Sequence, residues 1–171
     1  MIRIGIGRCL LAACAAGAIV LGPQTSQAQT TYEYAAKFVC NKPSTRSLVE
    51  VGFYSVAVNV HNPSAKPTKF KCKAALAGTD KDGKISAFKC AEIGPDAVRV
   101  YSCPFFVALL SLTPGTFIDG FFVIQSDTKL DVTAYYTSVG ILAIGQPNKV
   151  NSPSIAVERI HERVIIAGVP Q

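Results

Sequence analysis

Most signatures of catalysis, metal binding and nucleotide binding are missing from this sequence. It contains no Cys-x-x-Cys, no Gly-x-Ser-x-Gly, no Walker loop and no dinucleotide glycine pattern, and its two histidines stand 100 positions apart. No zinc site of ordinary spacing and no elbow-type serine nucleophile is therefore expected, and neither is any cofactor. No strand-helix-strand alternation occurs, which excludes a doubly wound nucleotide-binding fold. Charged residues are few, at 16% against 49% hydrophobic, so the chain can bury enough surface to fold, and disorder is excluded. Beyond the N-terminus there is no apolar run long enough to span a bilayer as a helix.

Three partial motifs fail on geometry. Ser86-Ala87-Phe88-Lys89 has Ser-x-x-Lys spacing but falls on an expected strand, where residues three apart face opposite ways. His161-Glu162 opens like a zinc-protease motif, yet position 165 is isoleucine. The stretch Asp80 to Ile85 resembles part of a calcium loop, but its first and twelfth ligand positions would be Gly78 and Lys89, which offer no side-chain oxygen.

An export signal is present instead. Arg3 and Arg8 form a positive start, Cys9 to Gly22 an apolar stretch, and Ser26-Gln27-Ala28 a small-x-small cleavage site. The expected organisation is a signal peptide over 1–28 and a single domain over 29–171. Removing 28 residues from 171 leaves 143, and losing two of 17 basic residues leaves 15 against 11 acids, a net charge of +4. Leu11-Ala12-Ala13-Cys14 resembles a lipobox and offers the alternative of a lipoprotein. Against it, only five residues separate Arg8 from Cys14. Membrane attachment is expected only if Cys14 is lipidated, and the location is otherwise periplasmic or secreted.

The expected domain is dominated by period-two alternation. Strands are expected at Tyr32 to Cys40, Val49 to His61, Thr68 to Ala77, Ile85 to Ile93, Ala97 to Cys103, Phe117 to Gln125, Leu130 to Thr137 and Ser154 to Ile166. Phe117 to Gln125 and Leu130 to Thr137 read as one hairpin. A short helix is expected to open with Pro104 and run to Leu112, stopped by Thr113-Pro114-Gly115. The fold class is mainly β, an antiparallel immunoglobulin-like sandwich of about seven or eight strands, with a small barrel as the alternative.

Cleavage would leave Cys40, Cys72, Cys90 and Cys103, which in an exported domain read as two disulfides. A hairpin centred on Lys81 opposes residues whose numbers total 162, so Cys72 meets Cys90, and Cys40 is left for Cys103. By loop entropy the two closures contribute about 3 and roughly 4 kcal/mol. The same register puts Lys69, Lys71, Lys73 and Lys89 together on the outer face. That face could hold anionic lipid, glycan or polyphosphate, although strand lysines also guard sheets against edge pairing. Nucleic acid is not an expected partner, because the charge is modest and the aromatics alternate as core positions do.

The stretch Gly52 to Pro63, with Ala57-Val58-Asn59-Val60-His61-Asn62-Pro63 at its end, resembles the AxNVHNP segment of a group of small, uncharacterised exported bacterial proteins. Phe117 to Ser126 with Leu130 to Thr137 resembles their GFxVIxS and LDVxAxYT segments. The resemblance implies a bacterial, exported, β-rich protein and carries no activity with it. The expected function is a non-enzymatic binding or structural module of the envelope, whose partner is an envelope protein, a glycan or a lipid. A small hydrolase using His61 or His161 is the competing expectation.

Overall fold

The computed structural model describes residues 29–43, 51–140 and 153–167. The expected signal peptide with Cys9 and Cys14, the expected strand start at Val49 and the loop with Gly145 and Pro147 lie outside the described residues. Among the described residues nine strands and one helix follow one another: β1 (Thr30–Cys40), β2 (Gly52–His61), β3 (Thr68–Leu76), β4 (Lys89–Ile93), β5 (Val98–Ser102), α1 (Cys103–Leu109), β6 (Ile118–Ser126), β7 (Asp131–Gly140), β8 (Ser154–Ile160) and β9 (Arg163–Ile166). They form a five-stranded sheet in the order β4-β3-β6-β1-β9 and a four-stranded sheet in the order β5-β2-β7-β8. Every pairing is antiparallel, and the two sheets make a sandwich rather than a closed barrel. No helix among the described residues is long and apolar enough to cross a membrane.

Alternation explains the core. Tyr34, Ala36, Phe38 and Cys40 of β1, Val56, Val58 and Val60 of β2, and Phe70, Cys72 and Ala74 of β3 are all buried, and their neighbours in sequence turn outward. Phe38 stacks on Phe106 of α1 at 4.8 Å, and Phe122 lies 5.1 Å from Phe106, so the helix closes one end of the core with aromatic rings. Pro104 stands in the first turn of that helix without forfeiting a hydrogen bond, since the first-turn amides have no helical acceptor. Gly120 stands opposite Phe38, where an added Cβ would meet the Ala75 carbonyl oxygen at 2.1 Å and the Phe38 ring at 2.8 Å.

Two expected connections are corrected. The pair β6 and β7 is not a hairpin, because its turn carries the chain from the five-stranded sheet to the four-stranded one. The expected strand Ser154 to Ile166 breaks at His161-Glu162, so β8 pairs with β7 in one sheet and β9 with β1 in the other. A strand's period fixes which way its side chains point and says nothing of which sheet it joins.

The expected β3–β4 register is corrected as well. Next to the loop, Leu76 N–H donates to the Lys84 carbonyl and Ala75 opposes Ile85. Further along, Cys72 opposes Lys89 and Lys71 opposes Cys90. Two residues on β3, Lys73 and Ala74, thus face three on the other side, Ser86, Ala87 and Phe88. That extra residue is a bulge, held where Ser86 Oγ takes the Ala74 N–H at 3.0 Å. A one-residue shift turns every side chain of β4 to the opposite face.

Candidate functional site

Cys40 and Cys103 are bonded, tying the end of β1 to the start of α1 with Cα atoms 5.6 Å apart. Cys72 and Cys90 are not bonded, contrary to the expected pairing: Cys72 is buried and points inward, and Cys90 is exposed on the outer face opposite Lys71. The bulge is the physical cause.

The same shift divides the four lysines. Lys69, Lys71 and Lys73 share the outer face of the five-stranded sheet, and Lys71 and Lys73 each place an ammonium 4.8 Å from the Phe88 ring. That face is not uniformly basic. Glu92 opposes Lys69, Lys37 pairs with Asp119, and Glu33 accepts from Gln125 Nε2 at 2.6 Å while pairing with Arg163. Lys89 turns the other way, into the gap between the two sheets.

There it meets a residue that the sequence pattern did not single out. Arg99 opposes Val60 and Tyr101 opposes Val58, so both stand at inward positions of β5, the edge strand of the four-stranded sheet. Lys89 holds the matching inward position on β4, the edge of the five-stranded sheet. Between these edges lies a crevice of about 290 Å³, lined by Cys72, Lys89, Ala91, Arg99, Tyr101 and Phe105 among others. The Lys89 ammonium lies 5.7 Å from the centre of the Phe105 ring, and Tyr101 and Phe105 meet edge to face at 4.7 Å. The Tyr101 hydroxyl is buried beside the Arg99 side chain. Burial pushes the Cys72 thiol up to about 11 despite the opposing pull of Lys89 and Arg99, and it raises the Tyr101 phenol too. At neutral pH the thiol is protonated, which makes it a poor nucleophile and a poor metal ligand.

Arg99 was hidden by an inverted polarity. On β5 the exposed outward residues are Val98 and Val100, and the inward ones are Arg99 and Tyr101. The signal available was parity, because Arg99 shares its face with the core residues Tyr101 and Cys103.

His61 ends β2 between two carboxylates, with Nε2 3.0 Å from Asp96 and Nδ1 3.4 Å from Asp131. These acids, Asp96 first, raise its pKa above the usual histidine range. With both nitrogens turned to carboxylates, the ring is held in a polar cluster that continues to Arg159, 3.7 Å from Asp131. The neighbouring Asn62 is fully buried and organises the turn that follows. Its amide donates to the carbonyls of Lys66, Gly94 and Ile93, and its Oδ1 accepts from Ser64 N–H, Ser64 Oγ and Thr68 Oγ1. His161 is exposed in the crossover between β8 and β9. Neither histidine lines the crevice, and among the described residues no group of three or more His, Cys, Asp or Glu is placed to hold a metal.

No protein-family model and no curated protein matches this chain. Among solved structures, the crystal structure of Thermotoga maritima 1070 is similar over 77% of this chain and 91% of that one, with 10% identity and a TM-score of 0.40. A likeness of that size carries no function across.

Proposed function

We propose that this chain is an exported, non-enzymatic binding module of the bacterial envelope, stabilised by the Cys40–Cys103 disulfide and binding its ligand in the crevice between β4 and β5. The observation that carries the proposal is the convergence of Lys89, Arg99 and the buried Tyr101 hydroxyl on one preformed cavity walled by aromatic rings. Export is supported by the signal pattern over 1–28, by the resemblance to exported bacterial proteins and by a disulfide suited to an oxidising compartment. Binding is favoured over hydrolysis because the carboxylates occupy both His61 nitrogens and the crevice thiol is protonated. The basic outer face is less suited to holding an anion, because Glu33, Glu92 and Asp119 are interleaved with its lysines.

The test is a thermal-shift screen of the chain starting at Gln29 against acidic, neutral and basic small molecules and envelope glycans, with the mass of each hit measured after incubation. The expected result is a raised Tm for one class with the compound unchanged; saturation at 100 times Kd stabilises by about 2.7 kcal/mol. Turnover of a compound, abolished by a single side-chain change, overturns the proposal. So does the absence of any shift across all panels.

A further inference from the structure

Resting on the binding reading above, we infer that the crevice selects a small carboxylate carried on a flat apolar body, such as a single aromatic ring. Two cations stand at inward positions of the two facing edge strands, and neither Lys89 nor Arg99 has an ion-pair partner among the described residues. Among the described residues no acidic side chain lines the crevice. The mouth is therefore positive and uncompensated. A guanidinium fork donates two parallel hydrogen bonds to a carboxylate, and the ammonium adds a second charge from the opposite strand.

The walls choose the rest of the ligand. Tyr101 and Phe105 present rings, Ala91 adds aliphatic surface, and the Tyr101 hydroxyl supplies a buried polar group. At about 290 Å³ the crevice is at the small end of ligand sites, too small for a nucleotide or a lipid with its chains. A monoanion also leaves water at lower cost than a phosphate dianion when it enters such walls.

The decisive experiment titrates the chain starting at Gln29 with 3-phenylpropionate, its amide and phenyl phosphate, followed by amide chemical shifts. The acid is expected to saturate, moving the Ala91, Arg99, Val100 and Tyr101 amides, and to bind at least about tenfold more tightly than the amide or the phosphate, or ~1.4 kcal/mol. Arg99→Gln and Lys89→Gln should each weaken the acid about tenfold, and Tyr101→Phe roughly threefold. Lys71→Gln and Lys73→Gln, on the outer face, should leave it unchanged. Arg99 and Lys89 are exposed, so their variants keep the fold, which the unperturbed remainder of the spectrum checks.

Equal binding of acid and amide, tighter binding of the phosphate, an unaffected Arg99→Gln variant, or no saturation by the acid at millimolar concentration each overturns the inference. In the last case, aggregation of the Lys89→Gln and Arg99→Gln variants would identify the two cations as guards of the sheet edges. Failure here leaves the binding reading intact if the screen finds a ligand of another class, whereas turnover in the screen removes both.

Discussion

Replacing Asn62 with alanine removes a buried amide that joins β2, the following turn and the segment between β4 and β5. The side chain donates to Lys66 O at 2.7 Å and Gly94 O at 2.9 Å, with a longer contact to Ile93 O at 3.3 Å. It accepts from Ser64 Oγ at 2.8 Å and from Ser64 N–H and Thr68 Oγ1 at 3.1 Å. Each such bond has a net value of about 1 kcal/mol, and a buried group left unpaired costs roughly 1 to 3 kcal/mol. Several partners border solvent and would regain water, while Thr68 and the Ile93 carbonyl would not, so the expected loss is about 3 kcal/mol. Against a total of roughly 5 to 15 kcal/mol this is a large fraction, and it lowers Tm by about 10 °C. Urea denaturation of parent and variant, with the slope compared as well as the midpoint, measures it. Ser64→Ala should cost only about 1 kcal/mol. A loss below ~1 kcal/mol for Asn62→Ala, or an Asn62→Leu variant as stable as the parent, would refute the reasoning.

Gly120→Ala should destabilise by about 3 kcal/mol, because the new methyl falls against the Ala75 carbonyl and the Phe38 ring; an unchanged Tm would contradict that packing. Reducing Cys40–Cys103, which closes a separation of 63 residues, should cost about 4 kcal/mol in denaturant unfolding, and equal midpoints with and without reductant would contradict it. NMR titration should place the His61 pKa above the usual 6.5, owing chiefly to Asp96. Because the folded value is the raised one, His61 contributes stability that is fully present below about pH 6.5 and lost as pH rises through the folded pKa. A His61→Gln variant should lack that pH-dependent component, and a titration at or below 6.5 would remove it from the account.

The sequence revealed strands more readily than their partners. In β1 and β3 the alternation of Tyr34, Ala36 and Phe38, and of Phe70, Cys72 and Ala74, marks the buried face directly, because each side chain's direction is a local property. Sheet membership is not local. Nothing in Ser154 to Ile166 marks the crossing at His161-Glu162, where the pairing changes from β7 to β1. The Cys40–Cys103 pair was legible by elimination, but its reasoning relied on a Cys72–Cys90 pair that the Ser86–Phe88 bulge removes. A bulge adds one residue without changing composition or period, so it leaves no sequence mark. The candidate site was legible only in part. Lys89 was singled out for the wrong face, and Arg99 was concealed by the outward valines on either side of it. The resemblance segments gain a structural meaning, since Asn62 closes a turn, His61 meets Asp131, and Gly120 admits Phe38.

The inward turn of Lys89, on which the crevice depends, is tested most directly by native alkylation followed by peptide mapping of the unreduced chain. The expected map shows Cys90 labelled in the folded state, Cys72 labelled only after unfolding, and Cys40 linked to Cys103. A Cys72–Cys90 link in the native protein would set the register one residue over, turn Lys89 outward and leave the crevice without its ammonium.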